Sequence, residues 1–477
     1  MLVCALLVVF EPSSAKSPLG LHLTPCTQGR SRLAAERGTF GVYENRLART
    51  GRIIALRVVV LQARHRSGRA VAWIPGGPGQ GAVSLASTIA DGRFAKELTA
   101  LRDRFYVLFV DSRGMGESQP FKCDFTPARH PAVYFRQLFP DALVSACRQK
   151  TATRSDRNAY NTNNAVDDLD AVRNELGYSK IVLDGGSYGT FFHLCTCGDI
   201  PSASKAQCSR EFLRRTLCRC PALPTARKPR STTYFANAAT MRVCHTHFPA
   251  FERHFDRLMQ RFDRDPVSVR VKNTVTKRFE TVALSKEVLV DRLRQALYDP
   301  ENAAAIPYVV ERAFHADYVP LADLVYGMSE ALASALDMGA FLSYTCADEL
   351  PFMPASEARA MAAHSFAKDL RFRAQRRACA IWHVRPMPAA FNDPVHSRVP
   401  ILMISGSDDP ATPPRYGAEA LRYLPNGRQA VVRGAGHTAE LPCTDTLLVR
   451  FARAASARAL DVSRCHAAFV TPRFETR

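Results

Sequence analysis

Gly185-Gly186-Ser187-Tyr188-Gly189 closes an apolar run, Lys180-Ile181-Val182-Leu183-Asp184. Gly-x-Ser-x-Gly directly after a strand is a nucleophile elbow, a tight strand-to-helix turn that lifts the serine Oγ out of a sheet. Glycines flank the serine because so strained a turn leaves no room for side chains beside it. Acyl transfer on such a serine needs a base to take its proton, an acid to orient that base, and donors for the oxyanion. Asp409 stands in Ser405-Gly406-Ser407-Asp408-Asp409-Pro410, and His437 ends Arg433-Gly434-Ala435-Gly436-His437. Each follows the C-terminal end of a strand-like run, where open α/β sheets bind ligands. Alone, Asp409 reads as a turn residue and His437 as a loop histidine; in the order Ser, Asp, His they read as a triad. Asp408 competes for the acid role, and Asp409 is preferred because Pro410 stiffens the loop that aims its carboxylate. The oxyanion donors are expected to be the backbone N–H of Tyr188 and one from Ile74-Pro75-Gly76-Gly77-Pro78-Gly79-Gln80-Gly81, with Gly77 the best candidate. A phosphate-binding role for that loop is disfavoured, since no Lys-Ser/Thr follows.

The elements that must position these residues are short Val/Ile/Leu-rich runs over 54–61, 70–74, 105–111, 180–184, 400–405 and 429–432. They alternate with helical stretches such as 164–176, which predicts a mostly parallel α/β sheet flanked by helices. Residues 245–395 are mainly helical in pattern, over 248–262, 286–298 and 303–314, with a hairpin pairing 267–271 with 278–284. This block lies between the elbow and the last two strands, where a lid is inserted.

At 477 residues, 47% apolar and 23% charged, the chain has the composition of a globular protein of one large or two smaller domains. The net charge of +20 raises nucleic-acid binding. No long basic run or aromatic-interleaved basic stripe supports that, and an Arg-rich solvated surface is the expectation. The chain opens with Met-Leu-Val-Cys-Ala-Leu-Leu-Val-Val-Phe and small residues near Ala15, so residues 1–16 resemble a signal peptide without a basic start. No segment is long enough to span a bilayer, so no stable membrane insertion is expected. Fourteen cysteines fit an exported, periplasmic or extracellular protein. Cys195, Cys197, Cys208, Cys218 and Cys220 crowd together, yet no His or Asp pattern completes a familiar metal-ligand spacing.

Gly-Gly-Pro-Gly at 76–79, Asp111-Ser112-Arg113-Gly114-Met115-Gly116-Glu117-Ser118, Gly-Gly-Ser-Tyr-Gly-Thr at 185–190, Asp-Pro-Ala-Thr-Pro-Pro at 409–414 and Gly-Ala-Gly-His at 434–437 together resemble the proline iminopeptidase and tripeptidyl aminopeptidase family. The resemblance covers most of residues 35–470. It implies an α/β-hydrolase fold with an inserted, mainly helical cap, and cleavage of residues or short peptides from free N-termini. It implies Ser187 as nucleophile, Asp409 as orienting acid, His437 as base and Gly77 and Tyr188 as oxyanion amides, with no metal or organic cofactor. The substrate's α-ammonium needs an acidic partner, and Asp348 and Glu349 resemble a family segment late in the cap. The same resemblance suggests disulfides Cys123–Cys147, Cys346–Cys379 and Cys443–Cys465, and a partner for Cys26 where Arg37 stands. The implied division is core over 35–190, cap over 244–395 and core again over 396–477. An esterase on the same scaffold is the alternative, because a triad fixes reaction type better than substrate.

Residues 191–243 depart from the family, which supplies a helix and then a strand before the cap. Eight Lys/Arg stand against two Asp/Glu over 191–240, with Pro- and Cys-rich text and no strand pattern. A shifted reading frame accounts for this: read from the last base of the Leu194 codon, one permitted codon set turns residues 195–216 into VYMRRYPQRVQSAVLEGVSPPD, which contains the apolar strand QSAVLEGV. On this expectation the strand beside the elbow is lost. Its neighbours, about 4.8 Å from it on either side, can then no longer be held in register, and activity is impaired.

Overall fold

Val58, Val59, Val60 and Leu61 are all buried, yet alternate residues enter different cores. That is why such strands read as continuous apolar runs: a sheet covered by helices on both faces leaves no side of the strand for polar residues. The computed structural model describes residues 20–65, 67–92, 94–125, 131–199, 204–210, 246–273, 276–363, 365–437, 442–454 and 456–465. Its main sheet has nine strands in the order β1-β2-β3-β5-β4-β6-β7-β10-β11. These are β1 Leu21–Gln28, β2 Leu33–Asn45, β3 Thr50–Leu61, β4 Ala70–Ile74, β5 Tyr106–Val110, β6 Ile181–Gly186, β7 Ser204–Arg210, β10 Ile401–Gly406 and β11 Gly427–Val432. The pairings from β1 through β5 are antiparallel, and those from β5 through β11 are parallel. This is the α/β-hydrolase fold, a mixed sheet with helices on both faces.

One face is covered by helices Ala82–Asp91, Ala95–Arg102 and Pro442–Ala454, through Ala86, Leu98, Leu447 and Phe451. The other is covered by Thr162–Glu175 and Tyr188–Asp199, through Leu169, Val172, Phe191 and Phe192. A separate core joins helices Phe251–Phe262, Lys286–Ala296, Pro300–Phe314 and Val319–Ala335 with the hairpin β8 Val267–Lys272 and β9 Phe279–Leu284. Phe251, Phe255, Leu258, Met259 and Phe262 form its inward stripe at helical spacing. Helices Met338–Tyr344 and Leu370–Trp382 instead place Phe341, Tyr344 and Trp382 in the core beneath the sheet. The later part of the 244–395 block therefore packs with the hydrolase body.

Two expectations need correction. The sequence after Thr190 was not expected to form a helix, but Tyr188–Asp199 is helical, and Phe191, Phe192 and Leu194 are buried. No strand was expected before the cap, but β7 pairs in parallel with β6 on one side and β10 on the other. The ladder is built from main-chain N–H and C=O groups, so the slot can be filled by backbone whatever its side chains. Residues 211–243, and with them Cys218 and Cys220, lie outside the described residues, as do Cys244 and the signal-like residues 1–16. Disulfides join Cys123–Cys147, Cys346–Cys379 and Cys443–Cys465, the three pairs suggested above. Cys26 sits opposite Ala35 in the β1–β2 register, while Arg37 pairs with Glu117. No helix among the described residues is long and apolar enough to cross a membrane.

Candidate active site

Ser187 has φ of +52°, the left-handed conformation of the central residue of such an elbow. Its glycines are required by close approach. A Cβ on Gly189 would lie 2.4 Å from the Ile74 carbonyl oxygen, and one on Gly185 would lie 2.8 Å from His193 Nε2 and 3.0 Å from the same oxygen. β4 thus runs directly against the turn, and Gly77, with φ of +110°, follows it in the loop toward Gly81. Gln80 Oε1 accepts the Gly76 N–H at 3.1 Å and holds that loop folded on itself.

Asp409 and His437 come from the loops after β10 and β11, which touch closely: a Cβ on Gly406 would fall 2.2 Å from the carbonyl oxygens of Ala435 and Gly436. His437 Nδ1 lies 3.1 and 3.0 Å from the two carboxylate oxygens of Asp409. Oδ1 of Asp409 accepts N–H groups from Ala411 at 2.7 Å and Thr412 at 2.9 Å, and Oδ2 accepts the Thr412 hydroxyl. Burial pushes this carboxyl's pKa up, but His437 and the Thr412 donors outweigh it and hold it below the usual value. Asp408, the competing acid, accepts instead from Ser407 Oγ at 2.8 Å. A second histidine near the elbow, His193, is buried beneath Gly185, and burial drives its pKa down to about 3. It stays neutral under the turn.

A cavity of about 540 Å³ is lined by Ser187, Tyr188, Gly77, His437 and Glu349. Asp409 stands behind His437, bonded to it. Of the two acidic residues proposed for the substrate's N-terminus, only Glu349 lines this cavity. Asp348 is buried, and its Oδ2 accepts the N–H and hydroxyl of Thr162 at 2.8 and 2.6 Å. Thr162 Oγ1 lies 2.8 Å from the Tyr188 hydroxyl, so Asp348 supports the residue after Ser187. The two neighbours part because successive residues of a helix point in different directions, about 100° apart. The turn over Thr345–Glu349 is a wide π turn, a feature that recurs at functional sites. Burial, helped by Asp348 and opposed by Arg371, raises the Glu349 pKa to about 8.

The sequence reading missed Thr412, Tyr298, Arg294 and Arg371. Thr412 had a signal, standing three residues after Asp409, where a capping aspartate finds a backbone N–H. The Tyr298 carbonyl accepts the His437 backbone N–H at 2.7 Å, and its ring centroid lies 4.6 Å from that of the imidazole. Arg294 and Arg371 line the cavity from helices Lys286–Ala296 and Leu370–Trp382. Among the described residues no group of three His, Cys, Asp or Glu is arranged to hold a metal ion.

Two family descriptions match the chain: alpha/beta hydrolase fold over residues 70–206 and TAP-like protein over residues 366–464. No curated protein matches by sequence. Similar solved structures include Rv0554 from Mycobacterium tuberculosis, 14% identical with a TM-score of 0.40, covering 91% of this chain and all of that one. A thermophilic esterase from Thermogutta terrifontis is 15% identical with a TM-score of 0.33, covering 91% and 96%. MGS-M2, an alpha/beta hydrolase enzyme from a Medee basin deep-sea metagenome library, is 12% identical with a TM-score of 0.36, covering 84% and 94%.

Proposed function

The chain belongs to the α/β hydrolases that carry a TAP-like C-terminal part, the tripeptidyl aminopeptidase family, and from that premise we propose a serine hydrolase that releases amino acids or short peptides from free N-termini. The observation that carries this reading is the His437–Asp409 pair, at 3.0–3.1 Å, opening on the cavity that also holds Ser187 on its left-handed elbow. Ser187 Oγ attacks the scissile carbonyl while His437 Nε2 takes its proton, and Asp409 fixes the tautomer by accepting from Nδ1–H. The backbone N–H groups of Gly77 and Tyr188 receive the developing oxyanion. The imidazolium returns its proton to the leaving amine, and water then hydrolyses the acyl-enzyme by the same route in reverse. Glu349 pairs with the substrate's α-ammonium. Neither step calls for a metal or organic cofactor.

Three disulfides among the described residues support export to an oxidising compartment. The test is turnover of aminoacyl and tripeptidyl chromogenic amides beside a short-chain ester. Amide cleavage that is lost on blocking the N-terminus, and abolished by Ser187→Ala, is the expected result. Ester turnover alone replaces the peptidase reading with an esterase.

A further inference from the structure

Arg294, from helix Lys286–Ala296, and Arg371, from the first turn of Leu370–Trp382, share the cavity with Ser187 and His437. Both approach one carboxylate, Asp291, at 3.5 Å each, and Arg292 is its closest partner. Burial alone raises the Asp291 pKa, but the three guanidinium groups outweigh it and hold it at about 2. Asp184 and Glu349 are the carboxyls that line the cavity itself, and Arg371 lies within electrostatic reach of Glu349. Three guanidinium groups therefore meet one carboxylate at Asp291. Positive charge is in excess within this cluster. Inside a half-closed cavity such an excess is poorly screened, so an anionic ligand group is strongly favoured there.

The two arginines are also oriented in advance. The Arg371 guanidinium lies 5.0 Å from the Phe139 ring centroid and 5.7 Å from that of Phe341. Arg294 Nη1 donates to the Tyr298 hydroxyl at 2.6 Å, and Tyr298 in turn touches His437. A guanidinium fork fixed this way matches a carboxylate through two parallel hydrogen bonds at little entropic cost. As a sphere, about 540 Å³ is about 10 Å across, the span of roughly three extended residues.

We infer that Arg371 and Arg294 form a carboxylate-recognising subsite, which selects peptides bearing a carboxylate within two or three residues of the scissile bond. The inference rests on Ser187 being a peptide-cleaving nucleophile. The carboxylate is supplied by an Asp or Glu side chain or by the C-terminus of a short peptide, and the two sources separate by experiment.

Alanine tetrapeptide amides with free N-termini, carrying Glu or Gln at each position in turn, are compared for kcat/KM. Free-acid tri- and tetra-alanine are compared with their C-terminal amides. The expected result is about a tenfold or greater preference for the carboxylate-bearing member in one of the two sets, and that set names the source. Arg371→Gln and Arg294→Gln should collapse that ratio, and Arg371→Lys should retain part of it. Inhibition of ester turnover by trialanine, but not by its amide, reads the same subsite in the unaltered protein. A ratio within about twofold of one in both sets, or a preference that survives both Gln variants, overturns the inference. Inertness toward every free-N-terminus peptide, with ester turnover intact, overturns the peptidase reading itself and this inference with it.

Discussion

Tyr298 holds His437 twice, by its carbonyl on the backbone N–H at 2.7 Å and by its ring at 4.6 Å between centroids. Tyr298 follows helix Lys286–Ala296, so a residue from between the elbow and the last strands sets the position of His437. Gly436 is part of the same fit, since a Cβ there would lie 2.5 Å from the Tyr298 carbonyl oxygen. Tyr298→Ala keeps the main-chain bond but removes the ring, leaving the imidazole free to swing. A misplacement of about 1 Å can cost roughly 10²-fold in rate, so kcat should fall between about tenfold and a hundredfold with little change in KM. Tyr298→Phe, which keeps the ring, should stay near the parent value. Steady-state kinetics on both variants check this; equal kcat for Ala and Phe would remove Tyr298 from the positioning of the base.

Ser187 carries backbone strain that glycine would not. At φ of +52° any residue with a Cβ is disfavoured, whereas glycine adopts the conformation freely. Ser187→Ala and Ser187→Gly both delete the nucleophile. Thermal denaturation should show Ser187→Gly more stable than Ser187→Ala by about 1 kcal/mol, net of glycine's larger unfolded-state entropy. Both should be inert toward amides and esters. The reverse order of stability would mean that the elbow relaxes in the absence of Oγ.

Glu349 ties stability to pH in a defined direction. Burial is the main cause that lifts its pKa from 4.5 to about 8. A carboxyl that binds its proton more tightly when folded stabilises the fold fully below about 4.5 and progressively less as pH rises, until the contribution is gone above about 8. Glu349→Gln has no proton to lose. Its Tm minus that of the parent should therefore increase steadily from pH 5 to pH 8. In catalysis the ionised form is the one that pairs with an α-ammonium, whose own pKa is about 7.7–8.0. The profile of kcat/KM for free-N-terminus peptides should thus be narrow and centred near pH 8, with Glu349→Gln raising KM. Unchanged peptide cleavage in that variant removes Glu349 from the ammonium site.

The parts of this architecture that were legible in the sequence are those where one residue type must recur. The runs that became β4, β5, β6 and β10 are almost wholly apolar because both faces of the sheet are covered. The elbow glycines are legible because Ile74 leaves no room for a Cβ. β1 was not legible: it is an edge strand with half-buried and exposed residues, and Leu21-His22-Leu23-Thr24 carries little apolar signal. Which of Asp348 and Glu349 faces the cavity depends on how the helix is turned toward it, which no residue pattern announces. Arg294, Arg371 and Tyr298 reach the site only through the folding of chain inserted between elbow and acid, and spacing along the sequence says nothing of that.

β7 remains the place where sequence and architecture conflict. It lies between β6 and β10, whose residues are almost all buried, and pairs with both. A strand in such a slot is normally an apolar run, but Ser204–Arg210 reads Ser-Lys-Ala-Gln-Cys-Ser-Arg. Polar groups without hydrogen-bond partners in a sheet covered on both faces cost about 1–3 kcal/mol each. The shifted reading places QSAVLEGV over 205–212, almost in register with this strand, and the alpha/beta hydrolase match ends at residue 206. Replacing residues 195–216 by VYMRRYPQRVQSAVLEGVSPPD should raise Tm by about 2 °C or more, the shift expected for two or more kcal/mol in a chain of this size. Amide or ester turnover per folded molecule should rise with it, because β7 separates the strand that carries Ser187 from the one that leads to Asp409. Sequencing of the gene should then find an insertion and a compensating deletion flanking the codons for Leu194 and Val243. An exchanged protein no more stable than the parent, or a gene with neither change, would mean that this strand is native to the chain and that its polar residues are satisfied where they stand.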